Sequence, residues 1–245
     1  MSTLGTHDPP RTERVAILQS NYIPWKGVFD MIARVDRFVF HDDLQYTKGD
    51  WRNRNRIKTP QGTQWLTIPC GSSEKRLICE VELRDSRWQR QHFDRLRQNY
   101  ARTPHFERYR PWLEDVYLGT TWTNLSELNQ TLTRRIATEL LGFDHVTFDD
   151  SRRFGLTSHK AERVIDLLEA AGASHYLSGP AARDYLDESA FAARGIALEW
   201  MDYDGYPEYE QPHPPFDHAV TVLDLLFCVG NSAMDHLRRG ARSRA

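Results

Sequence analysis

The sequence predicts an α/β fold: a mainly parallel sheet with flanking helices, of nucleotidyltransferase-like or Rossmann-like architecture, carrying a helical insert. Three observations point there. Two short apolar runs, residues 15–18 (VAIL) and 37–41 (RFVFH), flank one amphipathic helix-length segment. A dense block of helical periodicity covers residues 87–141. Short strands and helices then alternate toward the C-terminus, the pattern of α/β rather than all-α or all-β chains.

Each element has its own local reason. Residues 15–18 are continuously apolar, as in a strand covered on both faces. Residues 19–24 (QSNYIP) form a polar turn, and Pro24 suits the first turn of a helix, where its missing N–H costs nothing. Phe29, Ile32 and Ala33 lie on one face of that helix, and a second strand runs into Asp42 and Asp43. Residues 63–69 and 77–83 read as further strands. Within the insert, Leu125, Leu128, Leu132, Ile136 and Leu140 make the clearest helical stripe, stopped by Gly142. The sheet resumes at residues 146–148, followed by a helix over 158–171, a strand at 175–177 entering Ser178-Gly179-Pro180, a strand at 196–200 and a closing helix at 222–229.

Residues 1–14 are polar with two prolines and no apolar core, so they read as a disordered arm rather than a signal peptide, with one α/β domain over 15–245. No apolar stretch is long enough to span a bilayer. The net charge of −2 provides no global field toward nucleic acid, so neither nucleic-acid binding nor membrane insertion is expected. Three widely spaced cysteines, Cys70, Cys79 and Cys228, fit a reducing compartment, and the cytoplasm is the expected address. Oligomeric state has no signature.

Open α/β sheets bind ligands at the carboxyl ends of their strands. Two such ends are polar here: Gln19, Ser20, Asn21 and Tyr22, with Trp25 just beyond, and His41, Asp42 and Asp43. His41 or one of the aspartates has the chemistry of a proton acceptor; the pair equally suits Mg2+, or the capping of a turn. Gln45 and Tyr46 follow as polar positioning groups. Arg52, Arg54, Arg56 and Lys58 alternate with Asn53 and Asn55, so an extended chain would put four cations on one face. Such a ladder repels itself unless an anion lies opposite, which points to a phosphate-bearing small molecule or carrier; the alternative is a charged edge strand. Trp51 adds a stacking surface. Ser178 and Gly179 form a strand-to-helix turn able to present N–H groups to an anion. No zinc-ligand spacing occurs, and no metal set is expected.

The run from Gln19 through Gly27 (QSNYIPWKG), Asp42-Asp43-Leu44-Gln45-Tyr46, Trp51 through Lys58 (WRNRNRIK), and the segment Tyr176-Leu177-Ser178-Gly179 resemble the WbqC-like protein family, over nearly the whole chain. Ser20 stands where that family usually has proline, and Cys70 where an aliphatic residue is usual. The resemblance implies a bacterial transferase forming an amide on an amino sugar or amino-sugar nucleotide, in O-antigen, other surface-polysaccharide or natural-product biosynthesis. The acyl or aminoacyl donor this implies is an acyl-CoA or acyl-carrier thioester. Two other readings remain open: an ATP-dependent adenylating ligase or nucleotidyltransferase, and a non-catalytic sugar- or carrier-binding protein. The nucleotidyltransferase analogy lacks the paired histidines those enzymes carry after the first strand.

Overall fold

A computed structural model describes residues 13–237. The N-terminal arm expected at 1–14 lies outside these residues except for Glu13 and Arg14, which are ordered: Glu13 accepts from Arg37 at 2.6 Å, and Arg14 begins the first strand.

The main sheet has five strands, all parallel: β1 (Arg14–Leu18), β2 (Arg37–Phe40), β5 (Thr147–Asp150), β6 (His175–Ser178) and β7 (Ala197–Trp200). Their spatial order is β5-β2-β1-β6-β7. The chain therefore builds outward from β1 in one direction, then returns and builds outward in the other. That reversal, between β1 and β6, is the doubly wound arrangement whose crevice lies at the carboxyl ends of the two central strands.

Alternation along each strand sorts the core into two layers. Ala16, Phe38, Phe40 and Leu177 face a large cluster that includes α1 (Lys26–Ala33) and the helical insert. Val15, Ile17, Val39 and Tyr176 face the other side, covered by α5 (Lys160–Ala170) and α6 (Glu188–Ala192). Both faces are buried, so β1 and β2 run without a polar residue over Val15–Leu18 and Phe38–Phe40.

Between β2 and β5 the chain leaves the sheet. An antiparallel hairpin, β3 (Arg54–Thr59) and β4 (Gly62–Thr67), turns through Pro60 and Gln61. The insert follows as α2 (Arg87–Tyr100), α3 (Phe106–Glu114) and α4 (Leu125–Arg135). The periodicity predicted for α4 continues through a wider turn over Ile136–Leu140, and Gly142 ends it at φ +73°. After β7, residues 201–221 form an irregular strap, followed by α7 (Val222–Val229) and α8 (Ala233–Leu237).

Three local expectations are corrected. Pro24 sits just before the helix, not in its first turn, because Trp25 is the cap of α1. Residues 77–83 form a short 3-10 turn at Ile78–Glu80 with isolated bridges on either side, since Gln45 pairs with Leu77 and Glu82 with Asn124 in place of a continuous neighbour. The four-cation ladder does not form, because Arg52 precedes β3 and Lys58 turns inward. No helix among the described residues is long and apolar enough to cross a membrane.

Candidate functional site

The loop from β1 to α1 is clamped from several sides. Tyr22 N donates to Trp51 O at 2.9 Å, and the Asn55 amide donates to Tyr22 O at 3.0 Å and Ile23 O at 2.7 Å. Val222 N donates to Pro24 O at 2.9 Å. Ile23 is fully buried with φ +35°, a costly conformation for a β-branched residue. Such strain persists only where surrounding contacts over-determine it, and Asn55 is the side chain that does so.

These clamps shape a cleft of about 230 Å³ lined by Asn21, Pro24, Trp25, Trp51, Asn55 and Ala219. Trp25 lies over the first turn of α1. A Cβ on Gly27 would fall 2.3 Å from the Trp25 ring, so glycine at 27 is what lets the indole lie there. Trp25 also meets Tyr203 edge-on at 5.1 Å between ring centroids, and Tyr203 follows β7. The Tyr203 hydroxyl in turn lies beside Gly179 at the end of β6. The cleft thus stands over the β1/β6 reversal.

Arg52 is the charged centre of this region. Its guanidinium donates to the side-chain oxygens of both Gln19 and Asn21, and Asp50 lies at 3.7 Å. Burial pushes its pKa down, opposed by the charges of Asp50 and Asp42. With its amide oxygen turned to Arg52, Asn21 has its NH2 group to present to the cleft.

The three residues after β2 divide between the two faces of the sheet. Asp42 is fully buried: it accepts from Ser20 N at 2.8 Å, Ser126 Oγ at 2.5 Å and Gln130 Nε2 at 3.0 Å. Its oxygens are occupied by hydrogen donors, and it ties α4 to the β1–α1 loop. Asp43 faces the opposite layer, accepting from Ser151 at 2.5 Å and from the buried Arg163. His41 Nε2 lies 3.6 Å from Asp43 and has no hydrogen-bond partner. Burial pushes the His41 pKa below its ordinary value, against the pull of Asp43. The β1–β2 ladder continues through His41 N to Leu18 O at 3.0 Å, so the His41 backbone stands beside Gln19, while its side chain turns toward Asp43 and does not line the cleft. Among the described residues, no three His, Cys, Asp or Glu side chains converge as a metal set.

The remaining sequence candidates fall into two groups. Arg54 and Arg56 lie on the outer face of the hairpin, next to Trp51 and Trp65. Ser178 is buried against the Tyr176 hydroxyl at 3.3 Å, with Gly179 at the rim. Gln45, Tyr46, Asn53 and Lys58 are held away from the cleft. Gln45 is exposed beside Leu77, and Tyr46 is buried under the Arg76 guanidinium with its pKa raised by burial. Asn53 donates to Ile68 O at 2.9 Å. Lys58 donates to Pro215 O and pins the strap. Sequence reasoning passed over Tyr203 and Ala219, which come from the irregular strap and carry no periodic signal. Arg163 is another such residue: a surface arginine near a helix start and one buried against Asp43 look alike in one dimension.

These features define an α/β protein whose parallel sheet opens a mainly apolar, tryptophan-walled crevice where its strand order reverses, with the Arg52, Gln19 and Asn21 cluster beside it. The chain belongs to the WbqC-like protein family, which it matches over residues 19–236. It is similar to the uncharacterized protein Rv1507c of Mycobacterium tuberculosis, with 46% identity over 228 residues, covering 92% of this chain and 98% of that protein.

Proposed function

We propose that the chain is a cytoplasmic transferase that moves an acyl or aminoacyl group from a thioester donor to the amine of a phosphate-bearing amino sugar. The observation that carries this reading is the crevice itself: two indole walls, the amide of Asn21, and Arg52 locked between Gln19 and Asn21. Aromatic walls with a few fixed polar groups suit a sugar ring. The sugar amine attacks the donor carbonyl, a C–N bond forms, the C–S bond breaks and the sulfur leaves as thiolate. The proton released by the amine passes to His41, whose Nε2 is left without a hydrogen-bond partner, and from there to the thiolate. The Asn21 amide and Arg52 are suited to the developing oxyanion. The place of this reaction in surface-polysaccharide or natural-product synthesis is part of the proposal and rests on the family.

Purified protein incubated with acyl thioesters and a panel of amino-sugar nucleotides is expected to yield a product heavier by one acyl group in mass spectrometry. Absence of amide with every pairing would count against the reading. The strand order favours a second reading, ATP-dependent adenylation, because doubly wound sheets bind nucleotides at this same crevice. Pyrophosphate release from ATP, dependent on an acid substrate, separates the two.

A further inference from the structure

The outer face of the β3–β4 hairpin carries a strip of side chains that the folding of the chain does not explain. Trp51 and Trp65 are 41% and 37% exposed, yet their rings meet at 5.3 Å between centroids. The Arg54 guanidinium lies 4.1 Å over the Trp65 ring, and Arg56 lies 5.6 Å from Trp65 and 5.9 Å from Trp51. The register accounts for this stacking, since Arg56 pairs directly with Trp65 and Arg54 lies one pleat along the same face. Two exposed indoles cost hydration free energy. Two guanidinium groups on one strand face repel each other. Among the described residues Arg56 has one weak carboxylate partner, Asp217 at 3.8 Å, and Arg54 has none within ion-pair distance.

We propose that this strip binds the nucleoside diphosphate portion of the substrate, with the base stacked on Trp65 and the phosphates held by Arg54 and Arg56. This deepens the transferase reading and rests on it for the identity of the sugar end. The argument is one of continuity. Trp51 belongs both to the strip and to the wall of the crevice, so a ligand that fills one and covers the other has three parts in a fixed order. The first part is a ring small enough for a cavity of about 230 Å³. The second is an anionic link at the height of Arg54 and Arg56, where planar guanidinium forks match phosphate oxygens. The third is a flat ring for an exposed indole, already flanked by a cation. A nucleotide sugar has this order. A sugar on a lipid diphosphate shares the anion and lacks the flat ring, and coenzyme A places a long flexible arm where the crevice asks for a ring.

Tryptophan fluorescence and calorimetry on the full chain test the proposal without turnover. The probes are UDP, GDP, ADP and TDP, with inorganic pyrophosphate and coenzyme A as comparisons. At least one nucleoside diphosphate is expected to bind and quench, about tenfold or more tighter than pyrophosphate, since stacking on an aromatic side chain is worth that much. Trp65→Ala is expected to abolish that advantage, Trp65→Phe to keep part of it, and Arg54→Ala to weaken all diphosphates about equally with a shallower salt dependence. Arg97→Ala, on the exposed side of α2, is the control for a charge removed elsewhere. The proposal is overturned if no nucleoside diphosphate binds at millimolar concentration. It is also overturned if pyrophosphate binds as tightly as every nucleotide, if coenzyme A alone binds, or if Trp65→Ala changes nothing while circular dichroism shows it folded. Nucleotide binding without amide formation supports the strip and sinks the transfer chemistry. Amide formation with KM unchanged in Arg54→Ala and Trp65→Ala does the reverse.

Discussion

Replacing Asp42 with asparagine changes one atom and tests whether this buried carboxylate is a structural tie. Its Oδ1 accepts from Ser20 N, and its Oδ2 accepts from Ser126 Oγ and Gln130 Nε2. An asparagine keeps one oxygen, which remains opposite Ser20 N as a neutral rather than charge-assisted acceptor. The new NH2 group then faces Ser126, whose hydroxyl rotates to accept, and Gln130, whose NH2 is turned on it. Gln130 still has Asp150 at 2.7 Å and Ser126 at 3.1 Å, so it loses one of three acceptors. A weakened bond, a reversed bond and one donor–donor conflict in a buried site sum to about 2–4 kcal/mol. For a chain of this size that lowers the melting temperature on the order of 5–15 °C. Ser126→Ala, which removes a single donor, lowers stability by about 1 kcal/mol. Differential scanning fluorimetry and urea melts read both. If Asp42→Asn melts within a degree or two of the parent while product formation collapses, Asp42 is a catalytic base and the structural assignment is wrong.

Three further outcomes follow from the same geometry. Gly27→Ala favours the helix by up to about 1 kcal/mol in propensity, yet its Cβ collides with the Trp25 ring, so ligand affinity falls and the indole emission shifts while α1 stays helical by circular dichroism. Arg52→Lys keeps the charge but cannot reach Gln19 and Asn21 together; KM for the amino-sugar substrate is expected to rise about tenfold or more, with a stability loss of about 1–3 kcal/mol from the lost buried hydrogen bond, read by urea melts. Lys26 has its pKa pushed down to about 8 by burial, against the pull of Asp224 and Glu208, and its ammonium sits among Tyr206, Tyr209 and Phe216. The unfolded chain therefore holds this proton more tightly, so folding stability gains from Lys26 as pH rises from 8 and loses that gain as pH falls back through 8. Urea melts between pH 8 and 9.5 are expected to show a more positive slope of stability against pH for the parent than for Lys26→Met, the tyrosine and cysteine titrations being common to both; equal slopes would refute this.

The β1–α1–β2 unit was legible because VAIL and RFVFH are too apolar for anything but buried strands, and the polar groups begin where each run ends. The strand order was not legible. Nothing in residues 175–178 says that they pair with β1 rather than with β5, because parallel neighbours are chosen by long-range packing. For the site, the Gln19-to-Trp25 turn touches Trp51, Arg52 and Asn55 of the Trp51-to-Lys58 stretch, while Arg54 and Arg56 lie on the outer face of the hairpin. Inside that stretch, alternation alone misled at both ends: Arg52 leaves the strand to bind two amides, and Lys58 is drawn into the interior by a carbonyl of a distant strap. The sequence left open which of the adjacent aspartates faces which layer. They differ because consecutive residues point to opposite faces, one toward α4 and the other toward Arg163.

Hydrogen–deuterium exchange with and without bound amino-sugar nucleotide tests most directly whether the crevice over the β1/β6 reversal is the ligand site. Protection is expected in residues 19–25, 51–56 and 217–219, the three segments that build its walls and rim. Protection confined instead to the larger groove around Gln61, Arg95, Arg102 and His213, with residues 19–25 exchanging as in the free protein, would contradict it.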